Sequence, residues 1–245
     1  MDLAGRTAMV TGGALRLGRA VCEALAARQC NLVIHCRRSR KQAAALSRDL
    51  RRGGVSTFVV NGDLSTGAGC RAVMRQACRA AGKIDILVNN ASVFGCDRIA
   101  GMTEKKMQEQ LRVNFIGPVM LMREFVRQTA AGKIVNMLDR RVAGNEAGCL
   151  PYLLSKKALG ELTRSAALEL APGVTVNGVA PGPVLPAVGR GLPPAMRLAG
   201  AIPLGRRPAP ADIAAAVVFL LESDAITGQI LFVDGGQHLM AAGGG

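Results

Sequence analysis

Short apolar runs alternate along this chain with longer segments whose apolar residues recur every three or four positions. The runs Thr7 to Val10, Asn31 to Cys36, Val55 to Val60, Ile84 to Val88, Lys133 to Leu138, Val174 to Val179 and Ile230 to Val233 read as short buried strands. Between them, Ala20 to Ala27 places Val21 and Leu25 four apart, and Ala68 to Ala81 carries a similar helical period. A single long helix is predicted from Thr103-Glu104 past Val113, Asn114, Phe115 and Leu121 to about Thr129. Another runs from Gly148 to Ala171 with Leu153, Ala158, Leu162, Ala166 and Leu170 on its apolar stripe, and a last one covers Asp212 to Leu221. Strands rich in apolar residues that alternate with amphipathic helices specify an α/β protein: a doubly wound parallel sheet of seven strands with helices on both faces. Residues 1–240 read as one domain. The Pro- and Gly-rich stretch at about 183–207, around the apolar segment Ala195 to Ala201, reads as a substrate loop, and 241–245 as a flexible tail.

Glycine and charge place the ligand chemistry on this frame. Thr11-Gly12-Gly13-Ala14-Leu15-Arg16-Leu17-Gly18-Arg19 joins the first strand to the first helix. Such a turn either serves a tight bend or lets the backbone approach a pyrophosphate at a helix N-terminus; its position after the first strand favours the second, a Rossmann arrangement. An acidic residue at the end of the second strand would bond a ribose 2′-hydroxyl, but this chain has Arg37-Arg38-Ser39-Arg40. A guanidinium beside a hydroxyl suits a 2′-phosphate, so Arg38 and Ser39, with Arg16 reaching over, predict NADP(H). Arg40 reads as a helix-start charge. Asp63 and Leu64, after the third strand, lie where an adenine would rest; Asp63 is an acceptor for the adenine amino group or a helix N-cap.

Asn89-Asn90-Ala91-Ser92-Val93-Phe94 leaves the fourth strand, at the rim where open α/β sheets bind ligands. Phe94 is either a core ring or a platform for a flat substrate, and Asn114, polar among apolar neighbours, either bends its helix or joins a water relay. The acid–base candidates are Asp139 at the end of the fifth strand, Tyr152 thirteen residues later, and Lys156 one helical turn beyond it. A lysine there is expected to lower the phenol pKa.

Composition narrows the classes. The chain has 245 residues, 49% hydrophobic, with a net charge of +14, enough for one domain with a substantial core. The basic residues are scattered, and six Phe, one Tyr and no Trp offer little for base stacking, which argues against nucleic acid and for a small anionic ligand. Seven cysteines without a Cys-x-x-Cys spacing and only two histidines argue against zinc, any other metal site or a disulfide framework; nearly all of the cysteines read as small buried hydrophobes. No apolar run reaches membrane-spanning length and the start lacks a signal-peptide pattern, so the expected location is cytoplasmic, away from the membrane.

Thr11-Gly12…Gly18, Asn89-Asn90-Ala91, Asn114, Tyr152…Lys156 and Pro181-Gly182, in that order, resemble the short-chain dehydrogenase/reductase family over the whole chain. Most members carry serine where this chain has Asp139 and glycine where it has Arg16. Both departures resemble pteridine reductases, as do Arg16-Leu17-Gly18-Arg19, His35-x-x-Arg38-Ser39, Asn89-Asn90-Ala91-Ser92-x-Phe94, Asn136-Met137-x-Asp139 and Val233-Asp234-Gly235-Gly236. The resemblance implies an NADPH-dependent reductase of the C=N bond of a pterin or folate. In it Tyr152 donates the proton, Lys156 supports the phenol and holds the nicotinamide ribose, and Asp139 assists protonation of the ring nitrogen. Phe94 stacks on the pterin, Ser92 and Arg16 contact substrate, and Asn89 and Asn114 position the cofactor and the lysine–water relay. Gly12, Arg16, Leu17, Gly18, Arg38, Ser39, Asp63, Leu64, Ala91, Pro181, Gly182 and Val184 complete the cofactor contacts, and a homotetramer is implied. Gln237-His238-Leu239-Met240 departs from relatives that place a basic residue there. Two other readings compete: a carbonyl reductase of the 3-oxoacyl carrier protein type, and a non-catalytic NADP(H)-sensing regulator.

Overall fold

The computed structural model describes residues 1–185 and 202–240. Seven strands, β1 (Thr7–Val10), β2 (Asn31–Cys36), β3 (Thr57–Asn61), β4 (Ile86–Asn89), β5 (Gly132–Met137), β6 (Val174–Pro181) and β7 (Ile230–Val233), form one sheet. Its order is β3-β2-β1-β4-β5-β6-β7 and every pairing is parallel. Parallel strands need crossovers, supplied by α1 (Arg16–Ala27), α2 (Arg40–Arg51), α3 (Gly67–Ala81), α4 (Glu104–Leu111), α5 (Gly117–Gln128), α6 (Leu150–Glu169) and α7 (Pro210–Glu222), with a short α8 (Gln237–Met240) at the end. Because helices cover both faces, the strands are apolar on both, and their alternation sorts the core into two layers. Ala8, Val10, Leu32 and Ile34 pack with Val21, Leu25, Leu46, Ile213 and Val217 of α1, α2 and α7. Met9, Val33, Leu87 and Ile134 pack with Val73, Leu121, Phe125 and Ala166 of α3, α5 and α6.

The expected long helix through residue 114 is three pieces. A single π turn over Arg112–Ile116 separates α4 from α5. Pro118 has no N–H to donate to the carbonyl four residues back, so the α ladder is interrupted there, and the buried Asn114 side chain within the π turn bonds the backbone of Val93. The other differences are at the ends: β4 begins two residues later than expected and α1 four residues earlier. The apolar segment 195–201 and the tail 241–245 lie outside the described residues.

Strand order reverses at β1 and β4, and the crevice at their carboxyl ends is where such sheets bind ligands. Gly18 enforces the close packing at this point. A Cβ there would meet the Gly12 carbonyl oxygen at 2.3 Å and the Asn90 amide nitrogen at 2.6 Å. Gly18→Ala is expected to cost about 1–3 kcal/mol of stability by overpacking the turn; an unchanged urea midpoint contradicts this packing.

Candidate active site

The glycine turn is tied to the end of β4 by side chains. The Thr11 hydroxyl accepts from the N–H groups of Asn90 (2.8 Å) and Ala91 (2.9 Å), while the Asn90 amide donates to the carbonyls of Thr11 (2.8 Å) and Gly12 (3.1 Å). The buried His35 sits beneath. Its Nδ1 accepts from the Gly12 N–H (3.2 Å) and its Nε2 donates to the Gly62 carbonyl (3.1 Å), an assignment set by the neutral ring. Burial lowers its pKa to about 4, so it is neutral at pH 7. Arg16 has φ +55°, the left-handed region that glycine occupies without cost. Its guanidinium donates to the Leu185 carbonyl (3.4 Å), reaching across the cleft mouth.

At the end of β2, Ser39 is the N-cap of α2 but its hydroxyl makes no capping bond. It lies with Arg38, Arg37, Leu15 and Cys36 around a shallow hollow of about 290 Å³ that opens beside the glycine turn. Asp63 is not a helix N-cap: Thr66 takes that place on α3, accepting from Gly69 N–H. The Asp63 carboxylate accepts from Ser65 N–H (2.9 Å) and pairs with Arg37 at 2.9 Å. Partial burial works against ionisation, but those bonds and the charges of Arg37 and Arg38 outweigh it and lower its pKa.

β5 delivers Asp139 and the first turns of α6 deliver Tyr152 and Lys156. The Tyr152 hydroxyl donates to Asp139 Oδ2 at 3.0 Å. Asp139 also caps the following 3₁₀ turn, its Oδ1 accepting from Arg141 N–H (2.9 Å), and the Arg141 guanidinium donates to Oδ2 (3.1 Å) and Oδ1 (3.3 Å). Arg141 in turn donates from Nε to Glu146 (2.7 Å). Burial opposes the Arg141 charge, but Asp139 and Glu146 override it and raise its pKa above the ordinary value. Lys156 is buried with Nζ on the Met137 carbonyl (2.7 Å) and 5.9 Å from the centre of the Tyr152 ring. Burial drives its pKa down to about 8 against the pull of Asp139, leaving it mostly cationic at pH 7.

The expected lowering of the Tyr152 pKa is not found. Burial and the adjacent Asp139 raise it well above its ordinary value, because both oppose a second negative charge there. Phe94 is not a core ring: it is 50% exposed and stands edge-on to Tyr152, with ring centres 4.8 Å apart and planes at 79°. One cleft of about 980 Å³ is lined by Gly12, Arg16, Leu17, Gly18, Asp63, Leu64, Ala91, Ser92, Phe94, Asp139, Tyr152, Pro181, Gly182 and Val184.

Of the expected residues, Arg38 and Ser39 line the hollow beside it, and Lys156, Asn89 and Asn114 stand back from it. The Asn89 side chain is buried and donates to Asn136 (2.8 Å), which donates to Thr163 (3.0 Å), so Asn90, not Asn89, serves the cleft through the glycine turn. Asn114 is fully buried, its Oδ1 accepting from Val93 N–H (2.9 Å) and Ser92 Oγ (3.0 Å), its Nδ2 donating to the Val93 carbonyl (2.9 Å) and Ser155 Oγ (3.1 Å). None of these bonds reaches Lys156; Asn114 is a positioning residue that fixes the segment carrying Phe94.

A family model described as "Enoyl-(Acyl carrier protein) reductase" matches residues 13–238. The chain belongs to the short-chain dehydrogenase/reductase family. Galactitol 2-dehydrogenase of Agrobacterium fabrum (strain C58 / ATCC 33970) is 33% identical over 262 residues, covering 98% of this chain and all of that protein. The 3-oxoacyl-[acyl-carrier-protein] reductase FabG of Staphylococcus aureus (strain Mu50 / ATCC 700699) is 29% identical over 96% of this chain and 98% of its own length. Among solved structures, the FolM alternative dihydrofolate reductase 1 from Brucella canis, complexed with NADP, aligns at a TM-score of 0.92 with 34% identity, covering 97% of this chain and 96% of that one.

The partners of these residues come from positions that no local sequence pattern marks. Arg141 follows Asp139 by two positions, where its backbone N–H and its guanidinium can both reach the carboxylate, but nothing in the sequence sets it apart from the other arginines. Arg37, next to Arg38, pairs with Asp63 and lines both the cleft and the hollow. Gln237 and Arg207, far along the chain, also line the cleft.

Tyr152 is the chain's one tyrosine and there is no tryptophan, so tyrosinate absorbance reports on it alone. In the ligand-free protein this absorbance should appear well above the pH at which free tyrosine ionises, and Asp139→Asn should move it down. A midpoint near neutral pH in the unsubstituted protein contradicts the geometry.

Proposed function

We propose that the chain is an NADPH-dependent pteridine reductase that adds hydride to the C=N bond of a dihydropterin or dihydrofolate. The observation that carries this reading is a carboxylate bonded to the phenol at 3.0 Å, with a half-exposed phenyl ring beside it on the cleft wall.

Fit to the cofactor rests on the packed glycine turn, the N-terminus of α1 and the basic hollow. Gly12, Leu17, Gly18 and Ala91 would line the pyrophosphate and nicotinamide path. Arg38 and Ser39 would hold the 2′-phosphate and Asp63 with Leu64 the adenine edge, while Pro181, Gly182 and Val184 close the nicotinamide side. When bound, NADPH supplies the hydride. The NADP complex of the similar Brucella canis structure supports the same choice.

The chain's own residues supply the proton and the orientation. A C=N bond that receives hydride on carbon needs a proton on nitrogen, and the raised Tyr152 pKa keeps that proton on the phenol until a basic nitrogen arrives. Asp139 takes the place of the usual alcohol. An aminopyrimidine edge presents N–H donors, which a carboxylate accepts and which a hydroxyl serves less well. Lys156, pinned on the Met137 carbonyl, keeps positive charge below the phenol and would hold the nicotinamide ribose. Phe94 offers the flat face, and Ser92 and Arg16 border the substrate end. The assembly that accompanies this reading is a homotetramer, open to light scattering.

A second reading, a carbonyl reductase or alcohol dehydrogenase, is favoured by the similarity to galactitol 2-dehydrogenase and FabG. NADPH oxidation measured with a dihydropterin and with an acetoacetyl thioester separates the two: turnover of the dihydropterin is expected, and turnover of the thioester alone defeats the proposal. Tyr152→Phe should lose at least about 100-fold in kcat, the scale of a general acid; full activity would favour a cofactor sensor. Arg38→Ala should raise the KM for NADPH by about tenfold or more and leave that for NADH near its starting value; an equal change in both removes the phosphate role.

A further inference from the structure

The cysteines do not all behave as buried hydrophobes. Cys22, Cys30, Cys36 and Cys70 are buried, but Cys96 is exposed and Cys149 half-buried, and their sulfurs are 2.6 Å apart although 53 residues separate them. Cys96 lies on the segment that leaves β4, two residues after Phe94; Cys149 is the N-cap of α6, three residues before Tyr152. The segment is already tied at both sides of Cys96. Asn114 holds Val93, while the Leu150 N–H donates to the Asp97 carbonyl (3.3 Å) and Lys106 pairs with the Asp97 carboxylate (2.5 Å). The backbones that carry the two thiols are thus fixed in register before any bond forms between them.

We propose that Cys96 and Cys149 are a modification site: a dithiol that a hydroperoxide converts reversibly into one intramolecular disulfide, clamping the Phe94 segment to the first turn of α6. This goes beyond the reductase reading and does not depend on the identity of the substrate. Burial, with Cys96 as a close neighbour, pushes the Cys149 thiol up to about 12, so the exposed Cys96 is the sulfur that reacts first. Its thiolate attacks a peroxide oxygen, the O–O bond breaks, and hydroxide leaves as water after taking a proton, giving a sulfenic acid. The Cys149 sulfur then attacks the sulfenic sulfur. The S–O bond breaks and hydroxide leaves with the Cys149 proton as a second water. Two thiols lose two electrons and hydrogen peroxide is reduced to two waters. Thiol reductants reverse the step by exchange.

The bond closes a long loop of chain in the unfolded state, so it raises the thermal midpoint, and it holds the edge-on Phe94–Tyr152 contact in place. It also sets a disulfide next to the chain's one tyrosine, which quenches that ring's emission.

The test is treatment of the purified full-length chain with hydrogen peroxide, then alkylation and peptide mass spectrometry. The expected product is a monomer lighter by two hydrogens, with one peptide pair joined through Cys96 and Cys149. Its midpoint rises by on the order of 5 °C or more, its tyrosine emission falls, and dithiothreitol reverses both. Cys149→Ser should leave Cys96 to proceed to the sulfinic acid, and Cys96→Ser should abolish the response. If the unsubstituted protein instead yields sulfinic acid at Cys96 with Cys149 still alkylated, or disulfide-linked dimers, the site is overturned; that outcome would leave the reductase reading intact.

Discussion

The hydrogen bond from Tyr152 to Asp139 is the constraint on which the cleft depends. A phenol and a carboxylate 3.0 Å apart cannot both carry charge at low cost, so the proton stays between them, on the tyrosine. Arg141 and Glu146 prevent the carboxylate from turning away, and Asp139 is further held as the cap of its own turn. The acid is thereby a fixed part of the wall. The phenol therefore has a carboxylate as its fixed neighbour in the cleft wall.

The sheet makes that arrangement possible. Reversal of strand order at β1 and β4 opens one crevice, and Gly12 and Gly18 let α1 approach it with its first turn unobstructed. β5 and α6 then bring residues 139, 152 and 156 together from one side, while the segment after β4, pinned by Asn114, brings Phe94 from another. The helix is interrupted at the π turn before Pro118, and the Asn114 side chain within that turn holds the loop after β4.

Fold and most of the cleft were legible in the chain. Apolar runs spaced by helical periods specify a parallel doubly wound sheet because both faces of each strand must be covered, and all seven strands stand where the runs do. Tyr152, Lys156 and Asp139 could be read because their spacing is local or lies at a strand end. What could not be read depends on three-dimensional neighbours. The direction of the Tyr152 pKa depends on burial and on which oxygen its hydroxyl meets, and a Tyr–Lys spacing says nothing of either. Asn89 and Asn90 are adjacent and alike in sequence; strand alternation alone sends one into the core beside Asn136 and the other to the glycine turn. The sulfur contact of Cys96 and Cys149 joins segments 53 residues apart, beyond the reach of any spacing rule.

Whether the carboxylate beside the phenol tunes this cleft for a C=N bond is decided by exchanging that one group. The ratio of kcat/KM for a dihydropterin to that for an acetoacetyl thioester should be measured in the unsubstituted protein and in Asp139→Ser. The ratio is expected to fall by about 100-fold or more in the serine variant, the scale of one proton-transfer group. A ratio that stays the same or rises would contradict it.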